Sequence, residues 1–404
     1  MSRNCYRLFT IITLSMFFLL LSSCSPSQKN GSPKIVRENT SGIEKPSTEQ
    51  VQDFHPGYSE TPGQRVQVHY NNKIPREVLG FYTEQEGTYP GSQPTVNSQF
   101  TNLSIIAPFW YKLDDKRPGS LIDSVAADHK RKVIQSAHEK NVKVYLVVHN
   151  LFYETLEKGK QVASNVIDND KNRSVFIQNL RNEMNQFSYD GINIDIENLY
   201  LKDRDSFSLM IKKLCDTLHR DGKVVTVSVP ANTGDSRSNP WSPWFDYAKL
   251  GLFADRLIIM TYDEHNVNTT PGSTASVDWT EATIRYALNK GVPPSKILLG
   301  IAGYGWDWDT TANKALYSSY AQLMEHKTKY KAEILWDSRS QTPHFGYVDE
   351  KNHNHEVWFE NSYSLQFKLN LVEKFNLKGI GIWRLGLEDP MYWTAIPGKI
   401  KVKK

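Results

Sequence analysis

Short apolar runs alternate with amphipathic stretches along the chain from residue 76 onwards. The runs are rich in Val, Ile and Leu and a few residues long, which is typical of strands buried in a parallel sheet. The stretches between most of them, such as residues 174–187 and 205–219, have apolar positions at helical spacing and a Ser or Asp near their start. The predicted strands are residues 78–82, 103–109, 142–148, 191–196, 224–229, 257–260, 297–301 and 379–383.

This alternation decides the fold class. Eight buried strands that alternate with helices over about 320 residues predict a (β/α)8 TIM barrel. An open doubly wound sheet is the second candidate, but no glycine-rich phosphate-binding turn follows the first strand. The later glycine run at residues 300–305 lacks the acidic partner of that motif, so we interpret it as close packing within a strand.

The spacing widens between the seventh and eighth predicted strands. About residues 309–360 contain a helical pattern at 317–331, followed by short aromatic-rich runs at 334–336, 345–347 and 357–359. Aromatic residues favour strands. We therefore expect a small β-rich insertion on one rim of the barrel.

The first 24 residues have the pattern of a signal peptide. Arg3 and Arg7 precede an uncharged, mostly apolar run at residues 8–21, which is short for a membrane span. The segment 21–24, Leu-Ser-Ser-Cys, resembles the bacterial lipobox, in which the cysteine is lipidated and becomes the first mature residue. The resemblance implies a protein anchored through Cys24 to the outer face of a membrane; an ordinary secreted protein is the alternative.

Residues 25–72 are polar and rich in Ser, Pro, Asn, Gln, Glu and Lys. Such a composition cannot bury enough apolar surface to fold, so we interpret the segment as a disordered tether. A flexible coil of this length spans about 40 Å on average. Residues 73–404 remain for the folded domain, which is long enough for one large core.

Cysteine usage and charge exclude some classes of function. Cys5 would leave with the signal peptide, and Cys215 lies on an apolar helical stripe, where we expect a buried structural thiol and no nucleophile. No disulfide is then expected in the mature chain. The net charge of +4 is mild and does not indicate a nucleic-acid partner, and we expect the Lys-rich end at residues 399–404 to be solvated.

The most informative segment for chemistry is Asp-Gly-Ile-Asn-Ile-Asp-Ile-Glu at residues 190–197. Successive side chains of a strand point to opposite faces, so Asn193, Asp195 and Glu197 share one face and three isoleucines share the other. Two carboxylates and an amide are costly on a buried face unless they are hydrogen-bonded or used. A half-exposed edge strand with a polar solvent face is the alternative interpretation.

The segment resembles the signature of glycoside hydrolase family 18, Asp-x-x-Asp-x-Asp-x-Glu, with Asn193 where the middle aspartate is usual. Met-Thr-Tyr-Asp at 260–263 is similar to the sixth-strand motif of that family. Gly-Ile-Trp-Arg-Leu-Gly at 381–386 is similar to its eighth-strand motif, and Gly-Phe-Tyr at 80–82 fits its first strand. These motifs follow one another in the order in which the family has them.

The resemblance covers about residues 76–396, and residues 343–389 look closest to bacterial members that cut peptidoglycan, including spore-cortex lytic glucosaminidases. It implies retaining hydrolysis of β-1,4-linked N-acetylglucosamine glycans, in which the acetamido group of the substrate replaces the second carboxylate. No metal and no other cofactor is implied.

The resemblance also implies roles for individual residues. Glu197 would be the acid and then the base, and Asp195 would orient the acetamide and raise the pKa of Glu197. Tyr262 would hydrogen-bond the acetamido oxygen. An amide at Asn193 can hydrogen-bond Asp195 but cannot take up its proton. The candidate substrate-binding residues are Asp190, Asn193, Met260, Asp263, Trp383 and Tyr82, and Phe109 and Trp110 are further candidates for the groove lining.

The sequence therefore predicts a membrane-tethered, monomeric hydrolase of peptidoglycan or cortex fragments that works outside the cytoplasm, in the cell wall or spore envelope. A chitinase acting on chitin oligomers is the alternative within the same class. A surface lectin on an inactive barrel, which binds amino sugars without cutting them, is the alternative from another class. Asp195, Tyr262 and above all Glu197 argue against the lectin, because binding alone does not need an acid. A structural role in germination or in the envelope is a further alternative.

Overall fold

The computed structural model describes residues 74–235 and 244–404 of the chain. The predicted signal peptide at 1–24 and the predicted tether at 25–72 lie outside the described residues. In the part that is described, no helix has both the length and the apolar character needed to cross a membrane.

The secondary structure alternates between strands and helices, as the sequence pattern predicts. The strands are β1 (Pro75–Tyr82), β2 (Ile105–Pro108), β3 (Tyr111–Leu113), β4 (Leu121–Asp123), β5 (Lys143–His149), β6 (Gly191–Asp195), β7 (Val224–Pro230), β8 (Arg256–Met260), β9 (Ile297–Ala302), β10 (Tyr304–Asp309), β11 (Lys314–Ser319), β12 (Leu335–Asp337), β13 (Thr342–Val348), β14 (Asn354–Phe359), β15 (Gly379–Trp383) and β16 (Lys401–Val402). The α-helices are α1 (Gln93–Gln99), α2 (Ala127–His138), α3 (Leu156–Ile167), α4 (Asp170–Phe187), α5 (Arg204–Leu218), α6 (Tyr247–Phe253), α7 (Val277–Asn289), α8 (Tyr320–Lys329), α9 (Ser362–Lys374) and α10 (Tyr392–Lys399).

Eight parallel strands close into a barrel, in the order β1, β2, β5, β6, β7, β8, β9 and β15, with β15 pairing back to β1. Helices connect most successive strands on the outside. The predicted (β/α)8 barrel is therefore confirmed, and each of the eight predicted strands supplies one barrel strand. The observed helix ends differ from the predicted ones by a few residues. For example, α4 begins before the predicted residue 174, because the Asn169 side chain caps it.

Side chains on alternate positions of the barrel strands separate into two layers. The isoleucines of β6 and the following residue 196 belong to the large core between the strands and the helices. A smaller cluster fills the barrel itself and includes Phe81, Val147 and Ile258. Cys215 is only 4% exposed on α5, and burial raises the pKa of its thiol to about 12, which confirms the predicted structural cysteine.

A second sheet lies between β9 and β15, at the position of the expected insertion. It is antiparallel, with strand order β11, β10, β14, β13, β12 and with α8 beside it. It begins at Tyr304, a few residues before the predicted boundary, because β10 follows β9 after a single residue. A Cβ atom at Gly300 would lie 2.4 Å from the Ile259 carbonyl oxygen, so this glycine permits close packing, as expected.

Most lysines of the Lys-rich end are exposed, as expected, but this end is also held by the fold, which the sequence analysis did not anticipate. β16 pairs in parallel with the start of β1. The Lys403 ammonium donates to Glu77 Oε1 at 3.1 Å, and the Lys404 ammonium donates to the Leu103 carbonyl oxygen at 2.7 Å. The strand pairing was missed because a lysine-rich composition does not reveal that the backbone groups of residues 401–402 complete a sheet edge.

Candidate active site

We call Asn193, Asp195 and Glu197 the polar row of β6. The polar row points into the barrel, because the isoleucines of the same segment occupy the opposite layer. Asn193 is 0% exposed and Asp195 is 3% exposed, whereas Glu197, just beyond the carboxyl end of the strand, is partly exposed. The row therefore runs from the barrel interior to its mouth. The interpretation of residues 190–197 as a solvent-facing edge strand does not fit this placement.

Asn193 and Asp195 are linked through Ser228 of β7. The Asn193 amide group lies 3.0 Å from Ser228 Oγ, and the Ser228 hydroxyl also hydrogen-bonds the Asp195 carboxylate. A hydroxyl has one proton to donate. The arrangement that satisfies all three groups has the Asn193 N–H donating to Ser228 and the Ser228 O–H donating to Asp195.

The two carboxyl groups of the row have raised pKa values. Burial raises the pKa of Asp195 to about 6, and the Ser228 hydrogen bond opposes that rise. Burial, together with the negative charges of Asp195 and Asp263, raises the pKa of Glu197 well above its usual range. Glu197 therefore keeps its proton to a higher pH than an ordinary glutamate, which is what a general acid requires.

A buried amide from the neighbouring strand holds the turn that carries Glu197. Asn150 follows β5, and its Oδ1 accepts hydrogen bonds from the backbone N–H groups of Glu197 at 3.0 Å and Asn198 at 3.4 Å. Its Nδ2 donates to the carbonyl oxygens of Asn198 at 2.8 Å and Gly159 at 3.2 Å. Asn150 thus fixes the backbone of the acid-bearing turn from both sides, a role that the sequence analysis missed.

Tyr262 and Asp263 follow β8 and approach the same carboxyl groups. Burial, followed by the charges of Asp195, Glu197 and Asp263, raises the pKa of Tyr262, so its hydroxyl remains a donor. Asp263 has a positive φ of 61°. Asp263 is partly exposed. Its Oδ1 accepts hydrogen bonds from the Tyr304 hydroxyl at 2.6 Å and from Trp306 Nε1 at 3.0 Å.

Aromatic rings form the rest of the site. Trp383, at the end of β15, makes edge contacts with Phe81 and with Phe109, each with ring centroids 5.2 Å apart. On the other side, Tyr304 of the second sheet lies 6.2 Å from Tyr262. Trp383 and Tyr262 both pack against the cluster that contains Tyr304, so these rings form one continuous group. Tyr304 and Trp306 were missed because the predicted insertion began after them. Tyr317 was missed because it was assigned to the start of a helix, whereas it lies in β11.

Two predicted substrate-binding residues, Tyr82 and Asp190, lie away from the polar row. Tyr82 is buried among the outer helices, where its hydroxyl donates to Gln93 Oε1 at 3.2 Å, because Phe81 takes the inward position of β1. Asp190 precedes β6, at the end away from the mouth, and accepts from the Val144 N–H at 2.8 Å. The structure therefore brings neither residue to the polar row.

Met260 has the inward parity of Ile258 and is partly exposed at the carboxyl end of β8, beside Tyr262. Trp110 is buried on the outer side with Tyr82, at a centroid distance of 5.8 Å. Phe109, in contrast, lies beside Trp383 at the mouth.

Across residues 74–235 and 244–404, no three His, Cys, Asp or Glu side chains converge as metal ligands do.

Residues 78–388 match the family model described as glycosyl hydrolases family 18. The uncharacterized glycosylase YvbX of Bacillus subtilis (strain 168) is 32% identical over 273 residues, which cover 67% of this chain and 79% of that protein. The cortical fragment-lytic enzyme of the same organism is 26% identical over 298 residues, covering 73% and 68% of the two chains. The crystal structure of a chitinase from Chromobacterium violaceum ATCC 12472 superimposes with a TM-score of 0.72 and 27% identity, over 80% of this chain and 98% of that one.

Proposed function

The chain belongs to glycosyl hydrolases family 18 and is a glycoside hydrolase, and from this premise we propose that it cleaves β-1,4-linked N-acetylglucosamine glycans, with peptidoglycan or spore-cortex fragments as substrates. We propose further that the reaction retains the anomeric configuration and is assisted by the acetamido group of the substrate. The observation that supports this most directly is one carboxyl group, Glu197, with a raised pKa on a clamped turn beside Asp195 and Tyr262.

In the first step, the acetamido oxygen attacks the anomeric carbon while Glu197 gives its proton to the glycosidic oxygen that leaves. Asp195 accepts the acetamide N–H, which makes the acetamido oxygen more nucleophilic and offsets the positive charge of the cyclic intermediate. The Tyr262 hydroxyl donates to the acetamido oxygen and orients it. Trp383 packs against the apolar face of the sugar ring.

In the second step, water opens the cyclic intermediate. Glu197, now ionised, takes a proton from the water as its oxygen bonds to the anomeric carbon, and the acetamido group is restored. Two inversions give net retention. The active form of the enzyme has Asp195 ionised and Glu197 protonated, so its pH range lies above the pKa of Asp195, about 6, and below the raised pKa of Glu197.

Two observations bear on the substrate. The likeness to a cortical fragment-lytic enzyme, 26% identical over 73% of this chain, favours peptidoglycan or cortex glycans. The likeness to the Chromobacterium violaceum chitinase, 27% identical with a TM-score of 0.72, makes chitin oligomers the second candidate. An amino-sugar lectin is disfavoured because binding alone gives no reason for the raised pKa of Glu197.

The test is product analysis with the full chain. Peptidoglycan, cortex fragments and chitin oligomers are each incubated with the parent protein, with Glu197→Gln and with Glu333→Gln, which changes an exposed glutamate away from the site. We expect new N-acetylglucosamine reducing ends, detected by mass spectrometry, for the parent and for Glu333→Gln only. Nuclear magnetic resonance of the first-formed anomer tests retention. Binding without products from any substrate would refute hydrolysis and favour the lectin.

We also propose that Cys24 carries lipid and tethers the enzyme, as a monomer, to the outer face of the cell membrane. The support is the apolar run at residues 8–21 and the Leu-Ser-Ser-Cys segment that ends it. A palmitate analogue should label the parent protein in cells and leave Cys24→Ala unlabelled, and equal labelling of both would contradict the anchor. Sedimentation of the purified protein tests the monomer.

A further inference from the structure

An aromatic ring stands exposed beside the mouth of the barrel. Phe152 lies two residues beyond Asn150 and is 71% exposed. Its φ of 60° is in the left-handed region, which bulky residues rarely adopt because it strains the backbone. Burial of the ring away from water would offset the free-energy cost of this strain, but the Phe152 ring stays in solvent. The backbone therefore holds an apolar surface out to solvent next to the proposed cleavage site.

The exposed ring is part of a continuous group of aromatic rings, which we call the rim platform and define as Phe109, His149 and Phe152. Phe152 is exposed, Phe109 is partly exposed and His149 is buried beneath them. His149 lies flat on Phe109, with centroids 4.0 Å apart and an interplanar angle of 5°. Phe152 packs edge-on against His149 at 5.7 Å and against Phe109 at 6.2 Å. Because Phe109 also contacts Trp383, the rim platform begins one ring away from the proposed floor of the cleavage site.

His149 is the buried and uncharged member of the rim platform. Its Nδ1 accepts a hydrogen bond from the Leu151 backbone N–H at 3.1 Å, so the ring proton sits on Nε2. Burial, followed by the charge of Lys112, lowers the pKa of His149 to about 3. The imidazole is therefore neutral near neutral pH, and because it is only 5% exposed it supports the two phenylalanine rings and offers no surface of its own.

A cation stands beside the rim platform. Lys112 of β3 is the register partner of His149, and its ammonium donates to the Phe152 carbonyl oxygen at 3.3 Å. The same ammonium lies 4.8 Å from the centroid of the Tyr153 ring. Among the described residues no carboxylate pairs with Lys112. Its charge is therefore available to a ligand that lies on the rim platform.

We propose that the rim platform and Lys112 form a sugar subsite next to Trp383 that prefers a residue with a carboxylate, as the 3-O-lactyl group of muramic acid provides. Apolar faces of pyranose rings pack on aromatic rings, and an ammonium group attracts a carboxylate. A polymer of N-acetylglucosamine alone carries no charge and gains nothing from Lys112. This inference rests on the proposed function and specifies its substrate class as muramoyl glycans whose lactyl carboxylates carry no peptide.

The test measures binding, so that it does not depend on turnover. Calorimetry with the full-length Glu197→Gln protein compares a tetramer of N-acetylglucosamine with a peptide-free tetramer that alternates N-acetylglucosamine and N-acetylmuramic acid. Phe152→Asn removes the ring, and asparagine tolerates the positive φ. Phe152→Tyr restores a ring. Lys112→Gln removes the charge, and Lys132→Gln is the matched control on the exposed face of α2.

We expect Phe152→Asn to weaken binding of both tetramers about three- to tenfold, and Phe152→Tyr to restore it. Lys112→Gln should weaken only the muramoyl tetramer, about two- to fivefold, and the preference of the parent for that tetramer should fade with added salt. Equal loss of both tetramers in Lys112→Gln, or no loss in Phe152→Asn, would overturn the subsite. Failure of the parent to bind either tetramer would instead overturn the proposed function.

Discussion

Replacement of Asn150 by alanine should separate positioning of the acid from its chemistry. Asn150 is fully buried, and three of its hydrogen bonds to the backbone, at 2.8, 3.0 and 3.2 Å, have good geometry. At about 1 kcal/mol net for each of these bonds, Asn150→Ala should lower the free energy of unfolding by about 3 kcal/mol. A domain of this size can lose that amount and remain folded at room temperature.

The effect on catalysis should be larger than the effect on binding. Without the clamp, the turn that carries Glu197 can shift, and a displacement of about 1 Å of a catalytic group costs about 100-fold in rate. We therefore expect kcat to fall about 100-fold and KM to change little, since the aromatic rings that hold the sugar are untouched. The assay is steady-state hydrolysis of a chromogenic N-acetylglucosamine oligomer, well below the melting temperature of the variant.

Asn361→Ala is the matched control for this prediction. Asn361 also receives two backbone N–H groups, those of Tyr363 and Ser364, but it caps α9 away from the polar row. Its loss should cost about 1 kcal/mol of stability and leave kcat unchanged. A folded Asn150→Ala protein whose kcat stayed within about threefold of the parent would refute the positioning role, because 1 Å of movement should cost far more.

Three further outcomes are expected. Asn193→Asp adds a third carboxyl group to the row, which should raise the pKa of Glu197 further and move the basic limb of the pH–rate profile upwards without abolishing turnover; an unchanged profile would count against it. Gly300→Ala places a Cβ atom 3.0 Å from Tyr262 Cε1 and should lower both kcat and the melting temperature, as measured by kinetics and calorimetry. Deletion of residues 401–404 removes β16 and should lower the melting temperature by several degrees with kcat preserved.

Controls for these variants come from the same chain. Gly398→Ala adds a Cβ atom that meets nothing within 4 Å, so it should keep both activity and melting temperature. If it loses as much as Gly300→Ala, crowding of Tyr262 is not the cause. For the deletion, Lys403→Met in the full chain removes the hydrogen bond and ion pair with Glu77 but keeps the strand pairing. Equal destabilisation by both changes would assign the effect to that side chain and not to β16.

The fold was predictable because the barrel strands are buried on both faces. Strands of that kind read as short apolar runs whatever their neighbours are, and alternation with helices restricts the topology to few candidates. Parity then placed Asn193 and Asp195 inside once Ile194 was assigned to the core. Parity fails where both faces are aromatic. Phe81 and Tyr82 look equally suitable for a sugar site, and only the structure shows that Phe81 points inwards.

The missed residues are those whose role depends on a neighbouring strand. Asn150 and Ser228 act on the β6 row from β5 and β7, and local patterns do not show which side chains of neighbouring strands meet. A signal was nevertheless present: Thr226 and Ser228 alternate with valines, as the polar residues of β6 alternate with isoleucines. Two adjacent strands with the same polar alternation in a predicted barrel indicate a shared polar interior.

The pairing of β16 with the start of β1 has a geometric consequence for attachment. Both strands meet at the amino end of the barrel, whereas Glu197 and Trp383 follow strands at the carboxyl end. An affinity tag, or handle, fused directly to either end of residues 74–404 would therefore be attached on the side of the barrel opposite its mouth. If the enzyme were immobilised on a solid support through such a handle, the mouths of the barrels would face away from the support and would be accessible to an insoluble glycan.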